Sequence, residues 1–223
     1  MNTCLKARRR RSAFSLTELF AVILVLMVAL IFFLPNFGHR GPIANCALNL
    51  KTLGAAFHAW ANEHGGRLPM QVSTNDGGSM EFAASGDAFP HLRVLAKELQ
   101  APNILICPAD ENRQVTTNFA LLSNAHVSYF VGLNAAMTNL TSSSTNYGKF
   151  LAGDRNLTFD GRVVKAGLLV VPPPDNMLSW AKKIHHRHGN ILFEDGAVEL
   201  MNTPRLKHAL EKVGGVTNRF AIP

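Results

Sequence analysis

Apolar residues form one unbroken run near the start of the chain and later recur at regular spacings. The run covers residues 14–34, and its only charged residue is Glu18. A helix rises about 1.5 Å per residue, so a helix of this length crosses a hydrocarbon core of about 30 Å. The pattern predicts a transmembrane helix over residues 14–34.

A helical period returns beyond Gly41-Pro42. Apolar residues spaced three and four apart define one stripe, formed by Cys46, Leu50, Leu53, Phe57 and Trp60. This spacing is typical of an amphipathic helix that packs one face against another layer. Gly65-Gly66 is expected to end the helix.

The rest of the chain divides into short segments separated by turn-forming residues. Helices are predicted over 89–100 and 204–213, and strands over 103–107, 127–133 and 167–171. Asp195-Gly196 lies between two more strand-like segments and predicts a hairpin with a two-residue type I′ turn. Strands joined by turns after a long helix indicate an α+β fold with an antiparallel sheet.

Positive charge is concentrated at the N-terminus. The chain has 22 Lys and Arg against 15 Asp and Glu, a formal net charge of +7. Five basic residues lie within the first 13 positions, which leaves 17 against 15, or +2, for the remainder. Such a small excess does not neutralise many phosphates, so nucleic acid is not an expected partner. Hydrophobic residues make up 47% of the chain and charged residues 17%, which excludes a disordered protein.

Basic residues directly before an apolar segment predict a cytoplasmic N-terminus and an exported C-terminal part. A secretory signal would have a shorter apolar region followed by a small-x-small cleavage site, which residues 35–39 do not provide. Glu18 is unusual in this segment, because a carboxylate inside a bilayer is costly unless it lies near the headgroups or has a cationic partner. The sequence leaves both possibilities for Glu18, a position near the headgroups and a cationic partner.

The segment from Arg8 to Leu19, RRRRSAFSLTEL, resembles the class III leader of type IV pilins and type II secretion pseudopilins. The resemblance implies cleavage between Ala13 and Phe14 by a prepilin peptidase, which then methylates the new amino terminus. It also implies that Glu18 pairs with the Phe14 amine of a neighbouring subunit, and that Pro35 kinks the helix. Ala13 departs from the family pattern, which generally has Gly before the cut.

A second set of residues resembles a branch of pilin-like proteins with an H-X9-DG signature. His185 is followed after nine residues by Asp195-Gly196, with Asn190 in the position of the branch's usual Asn. Gly153-Asp154-Arg155-Asn156 resembles another segment of these proteins. The glycines that normally follow the His are replaced here by His186-Arg187-His188.

Together these resemblances imply a long N-terminal hydrophobic helix, the pilin spine, packed on a small antiparallel sheet domain. The expected divisions are a leader over 1–13, a helical spine over 14–64 with its transmembrane part at 14–34, and a periplasmic α+β domain over 65–223. The implied product is a non-enzymatic subunit of a type II secretion pseudopilus or a related filament. It would be held in the inner membrane by a single pass before assembly. Its implied partners are further copies of itself, other pseudopilins, the prepilin peptidase, an assembly ATPase and an inner-membrane platform protein.

The histidines near the C-terminus carry two hypotheses. His185, His186 and His188 could bind a metal with Asp154 or Asp195, since imidazole and carboxylate suit zinc. The favoured alternative is structural, with His185 tying its loop to the Asp195-Gly196 hairpin. Neither a metal ligand nor a cofactor is assigned on this basis.

No hydrolase or phosphate-loop motif is present in the sequence, so enzyme activity is not expected. Asp154 and Arg155 are interpreted as a buried or interfacial ion pair. Cys46 and Cys107 remain once Cys4 leaves with the leader, and a disulfide between them or two free buried thiols are both possible.

A rival hypothesis comes from a different class of protein. The same chain could be an anchored periplasmic domain that binds a ligand or carbohydrate, keeps its leader and never polymerises. Its mark would be an intact Met1 end and a ligand near the histidines at 185, 186 and 188.

Overall fold

The computed structural model describes residues 15–33, 41–136, 149–173, 177–213 and 217–223. The chain divides into two compact units, Met1–Gly41 and Pro42–Pro223. Five α-helices lie in the described part: α1 (Leu16–Phe33), α2 (Gly41–Glu63), α3 (Phe89–Arg93), α4 (Ala96–Leu99) and α5 (Thr203–Lys212).

The first unit corrects the expected spine. The expected long hydrophobic helix is wrong: in the described residues α1 covers Leu16–Phe33 and α2 covers Gly41–Glu63. Among the described residues no helix combines the length and apolar character needed to cross a membrane. The predicted transmembrane segment 14–34 and the inner-membrane location inferred from it are therefore overturned.

The amphipathic stripe predicted for α2 is confirmed. Its apolar residues, Cys46, Leu50, Leu53, Phe57 and Trp60, are all buried. The helix ends where expected, since Gly65 and Gly66 both have positive φ and the Gly66 amide donates to the Ala61 carbonyl.

Short helical turns occupy most of the region between α2 and the first strand. Besides α3 and α4, six 3-10 helices lie there in the described chain: Pro69–Gln71, Thr74–Asp76, Met80–Ala84, Pro102–Leu105, Phe119–Leu121 and Asn124–His126. The strand predicted over 103–107 is wrong, because Pro102 begins a 3-10 helix there. Its fixed φ suits a first helical turn, and a short apolar run does not distinguish a strand from a buried turn.

Nine strands form two antiparallel sheets in the described chain. They are β1 (Tyr129–Gly132), β2 (Phe150–Asp154), β3 (Leu157–Phe159), β4 (Arg162–Val163), β5 (Gly167–Val171), β6 (Leu178–Trp180), β7 (His188–Phe193), β8 (Val198–Asn202) and β9 (Asn218–Ile222). The larger sheet has the order β5-β9-β1-β2-β7-β8, and the smaller has the order β4-β3-β6. The body is therefore α+β.

Alternating residues of the large sheet supply two hydrophobic cores. On one face, Tyr129, Val131 and Leu192 join the buried stripe of α2. On the other face, Phe130 and Ile191 pack with residues of α5 and the small sheet. Successive strand residues point to opposite faces, so a sheet covered on both sides needs strands that are apolar throughout.

The β7-β8 hairpin is present with a different turn from the predicted type I′. Type I′ needs positive φ at both central residues, but Gly196 has a φ of 84° and Asp195 is not among the residues with positive φ. The Gly196 amide donates to the Phe193 carbonyl, and the Phe193 amide donates to the Ala197 carbonyl. These bonds define a three-residue loop closed by a left-handed glycine.

Candidate functional site

Four buried side chains from distant parts of the sequence meet beside α2. They are Cys46 in α2, Cys107 just after the 3-10 helix Pro102–Leu105, Asp154 at the end of β2, and His185 in the loop between β6 and β7. One sulfur, nitrogen or carboxylate oxygen from each lies within 4.8 Å of the others. We name this group the Cys-His-Asp cluster.

The two cysteines are joined in the structure. Cys46 and Cys107 form a disulfide across 61 residues of sequence, with their Cα atoms 5.2 Å apart. Of the two states left open by the sequence, this is the paired one. The bond ties the first turns of α2 to the segment that leads towards β1.

His185 lies at the centre of the cluster. Its Nε2 is 3.3 Å from the Cys107 Sγ and 3.4 Å from the Asp154 Oδ2. Burial lowers the pKa of His185 to about 4, because a charged imidazole would lose its hydration there. The ring is therefore neutral at neutral pH, and its contact with Asp154 is not an ion pair.

Asp154 is held by Asn190 of β7. The Asn190 backbone amide donates to the Asp154 Oδ2 at 2.7 Å, and the Asn190 Nδ2 donates to the same oxygen at 2.9 Å. Burial raises the pKa of Asp154 to about 7, although both hydrogen bonds act in the opposite direction. The resemblance placed His185, Asn190 and Asp154 in family motifs, and the structure brings these three together.

Arg155 does not pair with Asp154, so the ion pair predicted between them is wrong. Arg155 instead donates from Nε and Nη2 to the two carboxylate oxygens of Asp110, at 2.6 and 2.7 Å. Adjacent residues leaving a strand project to different sides, which separates the two. Burial would raise the pKa of Asp110, but the hydrogen bonds and charge of Arg155 outweigh it and lower that pKa. Sequence reasoning missed Asp110, because its partner Arg155 lies 45 residues away in the sequence.

The Asp195-Gly196 hairpin is held by other residues than His185. The Asp195 Oδ1 accepts from the Ala197 amide inside the turn. Outside the turn, the His58 Nε2 lies 2.9 Å from the Glu194 carbonyl oxygen. The predicted tie between His185 and this hairpin is wrong, because the His185 ring reaches Cys107 and Asp154 instead.

The loop that carries His185 has an unusual backbone. Ile184, His186 and Arg187 have φ values of 75°, 50° and 67°. Residues with a Cβ seldom adopt this left-handed conformation, and a β-branched residue does so least often. His186 and His188 are exposed, so they do not share the buried environment of His185.

The start of α1 has a site that sequence reasoning also missed. Ser15 and Glu18 form a capping box, in which the Ser15 amide donates to the Glu18 Oε2 at 2.9 Å and the Glu18 amide donates to the Ser15 Oγ at 3.3 Å. These hydrogen bonds lower the pKa of Glu18. The S-x-x-E spacing of Ser15-Leu16-Thr17-Glu18 was the visible indication. Ala13, Phe14 and Pro35 lie outside the described residues.

The chain was compared with family models, curated proteins and solved structures. No family model, no curated protein and no solved structure matches the chain.

Proposed function

We propose that this chain is a pilin-like structural subunit that assembles with other copies of itself through α1. The observation that carries the proposal is the exposed apolar surface of α1. Every described side chain from Leu16 to Val28 is exposed, with Leu16 at 85% and Phe20 at 69%. Consecutive helical residues are about 100° apart, so this apolar surface surrounds the helix.

A helix that is apolar on all sides is stable when it is buried. The partner surface that fits α1 best is the same helix from neighbouring copies. Glu18 is the only charged residue within α1 and lies in its first turn. Side-by-side helices of this kind bury apolar surface along their whole length without burying charge beyond that turn. The resemblance of residues 8–19 to pilin leaders supports the same arrangement.

Processing and assembly are linked at Glu18 in this proposal. Removal of residues 1–13 by a prepilin peptidase creates a cationic amine at Phe14. The Glu18 carboxylate is exposed and ionised, so it can pair with the Phe14 amine of an adjacent subunit and set the register between copies. Apolar packing then supplies most of the stabilisation, and the ion pair orients the subunits.

Substitution at Glu18 tests this link, and Ser15 offers a matched control. Glu18→Ala and Ser15→Ala both break the capping box, but only the first removes the carboxylate. We expect Glu18→Ala to abolish incorporation into filaments, whereas Ser15→Ala assembles. The measurement is the filament fraction formed by the full chain together with a prepilin peptidase, an assembly ATPase and a platform protein. Normal assembly of Glu18→Ala, or equal loss in both variants, would exclude a specific role for the charge.

The intact mass of the purified protein tests the processing step. We expect a species that begins at methylated Phe14 only when the prepilin peptidase is present. The same unprocessed mass in both samples would contradict a pilin-like pathway.

A ligand-binding domain that does not polymerise is the second candidate, and one observation favours it. An open cleft of about 550 Å³ is lined by aromatic, basic and hydroxyl side chains, among them Ser179, Trp180, His186, Arg187, His188 and Thr203. Such a mixture suits a polar ligand such as an oligosaccharide. This candidate predicts saturable oligosaccharide binding by the unassembled chain that is lost in Arg187→Ala, while the absence of binding across an oligosaccharide panel would reject it.

A further inference from the structure

We propose that reduction of the Cys46–Cys107 disulfide converts the Cys-His-Asp cluster into a closed site for one zinc ion. The four ligands would be the sulfurs of Cys46 and Cys107, the Nε2 of His185 and a carboxylate oxygen of Asp154. This inference does not depend on the proposed function in filaments, because the cluster lies wholly within the second unit, Pro42–Pro223.

The chemistry of the donors suits zinc. Closed structural zinc sites are tetrahedral and are built from thiolates and imidazoles, and carboxylate oxygen also serves as a ligand. Two thiolates disfavour magnesium and calcium, which prefer sites made of oxygen atoms. All four residues are buried, as is typical of a structural site without an open position for substrate.

The distances around His185 match a tetrahedral centre. Ligand atoms that lie about 2.0–2.3 Å from a tetrahedral zinc are separated from each other by about 3.3–3.8 Å. The His185 Nε2 is already 3.3 Å from the Cys107 Sγ and 3.4 Å from the Asp154 Oδ2. Binding requires that the sulfurs of Cys46 and Cys107 part after the bond between them breaks, and that the ligand atoms, which lie within 4.8 Å of one another, close around the ion.

One carboxylate oxygen of the cluster lacks a hydrogen-bond partner, which is consistent with a missing cation. The Asp154 Oδ1 is buried and has no hydrogen-bond partner among the described residues. Asn190 donates two hydrogen bonds to the Asp154 Oδ2 and so orients the carboxylate, as residues behind a zinc ligand commonly do. A divalent ion would compensate the buried carboxylate and the two thiolates together.

The conversion balances with a dithiol or a phosphine as the reductant. With a dithiol, the S–S bond of the protein breaks, each cysteine sulfur gains one electron and one proton, and the dithiol closes to its own disulfide. With a phosphine, the phosphine becomes its oxide by taking an oxygen atom from water. Zinc then displaces the two thiol protons, so binding releases protons and depends on the reduced state.

Metal content of the full chain tests the proposal. The protein is reduced with a phosphine or left oxidised, incubated with zinc, freed of unbound metal by gel filtration, and its zinc is measured. We expect about one zinc per reduced chain and none in the oxidised chain. Cys107→Ser, His185→Gln and Asp154→Asn should each lower zinc affinity at least about tenfold. His186→Gln and His188→Gln, which change exposed neighbouring imidazoles, should retain full binding.

Cobalt substitution keeps the test informative if a cluster variant fails to fold. Cobalt added to the reduced wild-type chain should give the intense ligand-field bands of a tetrahedral site together with thiolate-to-metal charge-transfer bands. An octahedral spectrum, metal uptake by the oxidised chain, or loss of binding in the His186 and His188 variants would overturn the proposal.

Discussion

At the scale of single residues, the loop that presents His185 stores backbone strain. His186 and Arg187 adopt left-handed backbone conformations, with φ values of 50° and 67°. For a residue with a Cβ this conformation costs about 1–2 kcal/mol. The strain lies directly beside the cluster, because the same short loop carries the buried imidazole of His185.

Replacing Arg187 by glycine should therefore stabilise the protein. We expect Arg187→Gly to raise the free energy of unfolding by about 0.5–1 kcal/mol, because relief of the strain exceeds the backbone-entropy cost of glycine. Lys182→Gly is the matched control, since Lys182 is exposed in the same loop and its φ is not positive. It should lower stability slightly in urea unfolding. Equal destabilisation by both substitutions would show that Arg187 is not strained.

His91 gives the fold a defined sensitivity to acid. The ring is buried, its Nδ1 lies 2.7 Å from the Ser79 Oγ, and burial lowers its pKa to about 4 even though the charge of Asp87 acts to raise it. The unfolded state therefore binds a proton at higher pH than the native state does. The contribution of His91 to the free energy of unfolding is fully present above about pH 6.5 and is lost as pH falls towards 4.

Comparison with His91→Gln isolates this contribution. Between pH 7 and pH 4.5 the wild-type chain should lose about 2–3 kcal/mol more unfolding free energy than the variant, as measured by urea unfolding at both values. Glutamine retains a polar partner for Ser79 but does not titrate. Parallel losses in both chains would mean that His91 accepts a proton in the native state without penalty.

At the scale of elements, the spacing of apolar residues predicted the helices and strands whose formation depends on nearby residues. The buried stripe of α2 and the strands of the β7-β8 hairpin follow from spacing alone, and the structure has both. The strand predicted over 103–107 was wrong, because Pro102 begins a 3-10 helix there. The long hydrophobic spine was wrong, because no helix in the described residues is long and apolar enough to cross a membrane.

Helix α5, which covers the second hydrophobic core, is capped at its N-terminus by the side chain of Asn202. The helix buries Leu206, Ala209 and Leu210 against the second core, and the Asn202 Oδ1 accepts from the Arg205 amide at its N-terminus. Asn202→Ala should reduce the free energy of unfolding by about 1 kcal/mol, because a backbone donor loses its cap. Asn202→Asp keeps an acceptor and should stay within a few tenths of the wild type in the same denaturation experiment. A loss of equal size in both variants would assign the effect to something other than capping.

At the scale of the whole molecule, the candidate site depends on contacts that no local pattern predicts. Its four residues come from α2, the segment after a 3-10 helix, a strand end and a loop, and their sequence separations reach well over 100 residues. The sequence offered the two cysteines as a possible pair and, separately, His185 with Asp154 as possible metal ligands and as members of family motifs. It did not indicate that both groups would occupy the same place. That coincidence arises from the stacking of α2 on the large sheet.

The Cys46–Cys107 bond should accordingly stabilise the whole second unit. A cross-link that spans 61 residues is expected to contribute about 2–4 kcal/mol, mainly by restricting the unfolded chain. Reduction in a metal-free buffer should lower the free energy of unfolding by that amount, and a Cys46→Ser/Cys107→Ser variant should have the lower stability with or without reductant. An unchanged urea midpoint after complete reduction would contradict this. Zinc added to the reduced wild type should raise the free energy of unfolding in proportion to the occupied fraction of the site. Zinc added to the double variant should not raise it. Only the wild type retains the thiolates that bind the ion in the folded state.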